Sequence, residues 1–307
     1  TPPVSNGRTL MPRSTPAVRL ASVRTDLGEQ PAIVDPERGV ALVSHVAPEL
    51  SGVGSGDVKS LLSADIAPVL AERARTARAD VFRSVDATEF APPYRTPAKI
   101  WGIGLNYHAH AGDLAEKVPA QPGSFIKASH TIIGPGDDIV LPEPDLAGRI
   151  TSEAELGLII GRYARNVAPE DALGYLYGVT PVLDQTAEDL VMANARYLTR
   201  SKNFPTFFSF GPVILPIGEV LAAFGTLDTI EVRTVRGGEV VHADVVANMT
   251  FSPAELISYH SRIMPLFPGD IISPGTPGAA AISDGDTVRC EIPGIGTLEN
   301  RVRAWQP

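Results

Sequence analysis

Glycine and proline recur along the whole chain, 28 of each in 307 residues, and are not gathered into one low-complexity tract. Neither residue suits the interior of a helix or a central strand, so a chain punctuated this evenly is cut into short elements joined by turns. With only 6% aromatic residues, the pattern predicts a β-rich α+β fold. VRLASVRT, PAIVD and VALVS, between residues 17 and 44, read as three short strands with hairpin connections. Residues 57–80 carry apolar side chains at helical spacing, interrupted by Pro68, and predict one or two helices. The stretch APPYRTPAK at 91–99 holds three prolines, which disfavour helix and central strand alike and mark a linker. The expected organisation is a flexible tail over 1–16, a small β-rich N-terminal domain over 17–92, and a larger domain over 93–307.

After the linker, strands are expected in KIWGIGL, SFIKAS, DDIVLP, EAELGLIIG and YGVTPVLD, and again at 212–215, 229–235, 270–272 and 287–292. Helices are expected at APEDALGYL, 187–198 and 253–262. Strands outnumber helices without alternating regularly with them, and GIGLN at 102–106 lacks the third glycine of a dinucleotide fingerprint, which argues against a doubly wound sheet. No internal repeat at a fixed period is apparent. The excess of 35 Asp and Glu over 26 Lys and Arg, net charge -9, leaves no basic face for nucleic acid. A single cysteine, Cys290, cannot close an intrachain disulfide, and no CxxC or Cys/His cluster is present to hold zinc. No apolar run approaches the ~18–20 residues of a membrane span. The opening residues also lack the apolar core of a signal peptide. The expectation is a soluble, cytoplasmic protein that touches neither membrane nor nucleic acid.

Candidate chemistry is concentrated in a few strings. In SEAELGLIIG, period-two alternation sends Glu153 and Glu155 to one face, with Cα atoms ~6.5–7 Å apart, close enough to share a cation. The plain alternative is a solvated strand edge. Asp184 ends the apolar run YGVTPVLD and offers a third oxygen ligand, or else caps the following helix. Three acids and water make a hard oxygen shell that suits Mg²⁺ or Mn²⁺ better than zinc. In GLNYHAHAGDLAE, His110 and Asp113 have the spacing of a base and its orienting carboxylate. A helix cap, and a metal pair made by His108 and His110, are the alternatives there. Arg200 and Lys202 precede a phenylalanine-rich stretch, where a desolvated lysine can face an anion or simply extend to solvent. PGDIISPGTPG presents Thr276 on a Gly/Pro loop that can hold a carboxylate or serve as an ordinary turn.

Taken in order, GLNYHAHAGD, FIKAS, EAELGLIIG, the strand ending at Asp184, RSKNFPTFFSFGP and PGDIISPGTPG resemble the fumarylacetoacetate hydrolase family over roughly residues 98–303. The resemblance implies a mixed β-sheet roll as catalytic domain, preceded by a small N-terminal domain, usually in a homodimer. It implies bound Mg²⁺ or Mn²⁺ and a small 2-oxo or β-diketo acid as substrate. By the same resemblance Glu153, Glu155 and Asp184 hold the metal, while His110, Asp113 and Lys202 are catalytic. Thr276, Lys127, Tyr107, Gln185 and Glu188 then meet the substrate. The implied reaction is hydrolysis of a carbon–carbon bond in an acylpyruvate-like substrate through an enolate that the cation stabilises. Decarboxylation, tautomerisation and hydration also occur in the family.

Two positions depart from the family pattern. Asp113 stands where many members have glutamate, which shortens its reach to His110. Glu188, in DQTAED, stands where many carry an arginine that contacts the substrate acid. An acidic side chain there repels a second carboxylate and disfavours a dicarboxylic substrate unless another cation compensates. These departures also admit an inactive relic that binds metal and a 2-oxo acid without turnover.

Overall fold

The computed structural model describes residues 17–54, 56–107 and 120–307, in which eighteen strands form two sheets. The first three, β1 (Arg19–Thr25), β2 (Gly28–Asp35) and β3 (Gly39–Leu42), are the antiparallel meander read from the sequence. Helices Val58–Leu61 and Ala67–Thr76 follow. Pro68 falls in the first turn of the second, where its missing N–H loses no hydrogen bond. The short β4 (Phe90–Ala91) then returns to pair with β1. The first part of the predicted linker is packed. Pro92, Pro93 and Tyr94 are buried, and Tyr94 meets Phe210 edge-on with ring centroids 5.2 Å apart. The prolines stiffen this packed crossing.

The middle of the chain supplies β5 (Ile100–Gly104), β6 (Gly123–Lys127), β7 (Ile132–Ile133), β8 (Asp138–Val140), β9 (Ile150–Ile160), β10 (Leu176–Ala187), β11 (Phe208–Phe210) and β12 (Val213–Pro216). The last third supplies β13 (Glu231–Arg236), β14 (Glu239–Val245), β15 (Ile271–Ser273), β16 (Ala279–Ile282), β17 (Thr287–Ile292) and β18 (Gly296–Arg303). The 13-stranded sheet follows the path β3-β2-β1-β12-β10-β9-β15-β5-β6 and is mixed, since β5 runs parallel to β15 and β7 to β11. Because β1 pairs with β12 as well as β2, the N-terminal strands continue this sheet. The smaller sheet has five strands in the order β14-β13-β17-β18-β8.

Helical readings were altered where glycine, proline or a polar break intervenes. APEDALGYL forms a 3₁₀ segment, Pro169–Tyr175, instead of an α-helix. The stretch 187–198 breaks at Asn194, which ends the helix Glu188–Ala193 and caps a 3₁₀ turn at Ala195–Tyr197. The helix Pro253–Ile263 forms as predicted, with Ser252 and Glu255 making a reciprocal capping box. Among the described residues no helix is long and apolar enough to cross a membrane.

β9 and β10 lie at the centre and are buried along their whole length, so both faces of each need a partner. On β9, Ala154, Leu156, Leu158 and Ile160 share one core with Val232, Val288, Cys290 and Leu298 of the smaller sheet. On the opposite face Ile159 joins a second core with Val182, Ile214, Leu20 and Ile33. Gly157 permits the close pairing between them, since a Cβ there would come within 2.5 Å of Val182 Cγ2. Continuing along that face, the side chains change from apolar to acidic at Glu155 and Glu153. Leu158→Ala, emptying the space between the sheets, is expected to lower the unfolding free energy by about 2–5 kcal/mol in urea denaturation.

Candidate active site

Glu153 and Asp184 are direct Cα partners across β9 and β10, so their side chains leave the same face side by side, and Glu155 lies one pleat further along. β10 runs three residues beyond Asp184, which therefore sits within a strand and is not a helix cap. Nor is the pair on β9 a solvated edge, since Glu155 is 1% exposed and Glu153 only 9%. One carboxylate oxygen from each of the three lies within 4.8 Å of the others. An all-oxygen set of this kind fits a hard divalent cation such as Mg²⁺ or Mn²⁺.

Each acid is held from outside its own strand. Glu155 Oε2 accepts from Ser273 Oγ at 2.6 Å and from the Gly275 backbone N–H at 2.8 Å. Glu153 Oε1 accepts from Thr186 Oγ1 at 2.5 Å, and its Oε2 from Lys202 Nζ at 3.1 Å. Asp184 is clamped between two ammonium groups, Lys127 Nζ at 2.5 Å on Oδ1 and Lys202 Nζ at 2.8 Å on Oδ2. Lys127 also donates to the Gln185 carbonyl at 3.1 Å.

Burial and charge act against each other across this cluster. Burial raises the Glu155 carboxyl well above the usual range, and the charge on Asp184 adds to the effect. Burial would raise Asp184 too, but the two lysines outweigh it and hold the group below its ordinary value. Burial pushes the Lys127 ammonium down to about 8, only partly offset by Asp184. In Lys202 the same penalty is overcome by Asp184 and Glu153 together, so its pKa is raised. Lys202 thus stays charged in the interior. Its Nζ lies 4.6 Å from the centre of the Phe125 ring and does not extend to solvent.

The other predicted residues fall in different places. Thr276 is buried, its hydroxyl donating to the Gly278 carbonyl at 3.0 Å, on the loop whose Gly275 holds Glu155. Tyr107 is fully buried among core residues, and its hydroxyl has no partner among the described residues. Gln185 alternates to the face opposite Asp184, where its amide meets Ser152 Oγ at 3.3 Å, and it reaches the cluster only through its backbone carbonyl, which accepts from Lys127. Glu188 is ion-paired with Arg149, so a compensating cation is present at the position where the sequence raised the question. Arg200 stacks on the Tyr197 ring, at 4.8 Å, and takes no part in the cluster. His108, His110 and Asp113 lie outside the described residues.

Several contributors were not read from the sequence. Thr186 was discoverable, because strand alternation places it on the face of Asp184. Ser273 and Arg149 carry no local signal and act only through strand pairing. His242 is a further case. Its ring packs on Gly278, where an added Cβ would come within 2.2 Å of Nδ1, so the absence of a side chain at Gly278 lets the histidine brace the Thr276 loop.

Residues 99–303 match the family described as fumarylacetoacetate (FAA) hydrolase C-terminal, and the chain belongs to that family. The mitochondrial oxaloacetate tautomerase of Rattus norvegicus is 30% identical, over 92% of this chain and 97% of that protein. Among solved structures, the fumarylacetoacetate hydrolase of Exiguobacterium antarcticum superposes with a TM-score of 0.78 at 26% identity. The maleylpyruvate hydrolase of Sphingobium sp. SYK-6, solved with manganese(II) and pyruvate, does so with a TM-score of 0.76, also at 26% identity. Each superposition covers 94% of this chain and 100% of the other.

Glu155→Ala is expected to abolish Mn²⁺ binding in titration calorimetry while the fold survives, and unchanged binding would remove Glu155 from the metal set. Cys290 gives an independent check on the packing beneath the site. Its buried thiol, pushed up to about 12 by burial, lies 3.6 Å from the Glu155 carbonyl. A thiol reagent should leave it unlabelled in the native protein at neutral pH and label it stoichiometrically in denaturant.

Proposed function

We propose that the protein is a Mg²⁺- or Mn²⁺-dependent enzyme that hydrolyses a carbon–carbon bond in an acylpyruvate-like or related β-diketo acid. The observation that carries this reading is the buried set Glu153, Glu155 and Asp184, with the charged Lys202 against it. Glu153, Glu155 and Asp184 would hold the cation, which would supply Lewis-acid charge to the 2-oxo acid end of the substrate. Lys202 stabilises negative charge developing on the substrate from a position already fixed by two carboxylates. Thr276 and its loop orient the substrate carboxylate. His110, with its tautomer held by Asp113, takes a proton from the attacking water as hydroxide adds to the distal carbonyl. The carbon–carbon bond then breaks, leaving a free acid and an enolate that collects a proton to become pyruvate. The Sphingobium hydrolase, with manganese and pyruvate bound, supports this assignment.

A second reading is favoured by the rat enzyme, which resembles this chain over nearly its full length. Tautomerisation of oxaloacetate needs the same enolate stabilisation and a proton transfer, but no attacking water. The discriminating experiment incubates the protein with Mn²⁺ and a panel of acylpyruvates and oxaloacetate, following enol absorbance and identifying products. Pyruvate plus a free acid, lost in His110→Ala, is the expected outcome. Loss of enol absorbance with no new product would replace the hydrolase by the tautomerase, and pyruvate plus carbon dioxide by a decarboxylase. Tight Mn²⁺ binding without turnover of any substrate would return the relic.

A further inference from the structure

The face that carries the acids does not end at Glu153. Register across β9 and β10 pairs Glu153 with Asp184 and Thr151 with Thr186, and the Glu188 backbone N–H donates to the Arg149 carbonyl at 2.9 Å, which extends the pairing by one further step on that face. Side-chain contacts agree with this parity, since Thr186 and Thr151 both reach Glu153 Oε1 and Arg149 pairs with Glu188. Moving outward, the two strands therefore present an acid pair, a threonine pair and an arginine–glutamate pair. On the neighbouring β16, Ala279 and Ala281 lie opposite Glu153 and Thr151 and keep that flank low.

Arg149 and Glu188 stand four residues from Glu153 and Asp184, about 13–14 Å at the Cα level, a gap that the long arginine side chain shortens. Glu188 engages the guanidinium at Nε only, and both Nη groups are without a partner among the described residues. The Arg149 side chain is 62% exposed and that of Glu188 only 17%, so the carboxylate is the anchored member and the outer edge of the guanidinium is open. That edge is the bidentate, planar surface that matches a carboxylate.

We propose that Arg149 determines specificity by binding a second carboxylate at the distal end of the substrate, with Glu188 as the positioning residue that holds its Nε. The inference rests on the reading of the acid cluster as a metal-dependent 2-oxo acid site, and it narrows the substrate class to 2-oxo diacids. Glu188, which by itself would repel such a substrate, is neutralised by the group it positions. The charge balance also favours this arrangement. Three carboxylates, two ammonium groups and a divalent cation leave one positive charge for the 2-oxo acid end, while the distal acid meets an arginine whose counter-charge is already supplied.

The test measures binding, not turnover, on the Mn²⁺-loaded full chain with three probes: pyruvate, 2-oxoglutarate and the 5-methyl ester of 2-oxoglutarate. The native protein is expected to bind the diacid roughly tenfold or more tightly than the ester, as suits a charge-assisted contact. Arg149→Gln should bring that ratio near one with pyruvate affinity within about twofold of native, which also shows that the inner site is intact. Glu188→Gln should lower the ratio part of the way, and Glu188→Asp should recover some of the loss. An unchanged ratio in Arg149→Gln, or no preference in the native protein, with pyruvate still bound, overturns the inference and leaves the 2-oxo acid site standing. Failure of the Mn²⁺-loaded native protein to bind any of the three overturns both.

Discussion

Two carboxylates facing each other across a buried strand pair is the constraint on which this structure depends. Glu153 and Asp184 are register partners in the middle of the larger sheet, with Glu155 one pleat away. Like charges directly opposite one another destabilise a sheet, and burial removes the water that would screen them. Positive charge must therefore come from elsewhere in the chain. It arrives as Lys127 at the end of β6 and Lys202 at the end of the helix Leu198–Lys202, both on Asp184. The three carboxylate oxygens also suit a divalent cation, which would complete the same compensation.

The surrounding fold can be understood as support for that cluster. β9 and β10 are buried on both faces, so the acids stand on a floor that neither bends nor hydrates easily. Ser273 at the end of β15 and the Gly275 backbone lock one oxygen of Glu155, while Thr186 locks one of Glu153. His242, packed on Gly278, ties the loop bearing Thr276 to the smaller sheet. Contacts from four strands, the Gly275 loop and a short helix thereby converge on three side chains, which is how a site with opposing charges keeps one geometry.

Much of this was legible from residue order. The alternation in SEAELGLIIG placed Glu153 and Glu155 on one face, and the three N-terminal strands formed as read. Where the reading departed from the structure, a local pattern had been asked to settle a tertiary question. Asp184 marked a change in polarity, not the end of β10, because a fully buried strand can continue through polar residues when its neighbours supply partners. The prolines of 91–99 imply stiffness, but whether a stiff segment spans solvent or packs depends on what lies across from it. Gln185 directly follows Asp184, yet strand parity turns its amide away from the acids. What compensates Glu188 is not visible in the local sequence, because its partner, Arg149, is 39 residues away.

By itself the sequence determined the β-rich class, the common face of the paired glutamates and the oxygen character of the donor set. These follow from periodicity and side-chain chemistry, which are properties of neighbouring residues. Only the tertiary structure decided which acid faces which, where the two lysines enter, and that Arg149 stands opposite Glu188. Those relations depend on the register of β9 against β10 and on segments distant in sequence. A shift of one residue would turn the acids toward the opposite core, so burial and pairing between strands, not any local motif, select the geometry.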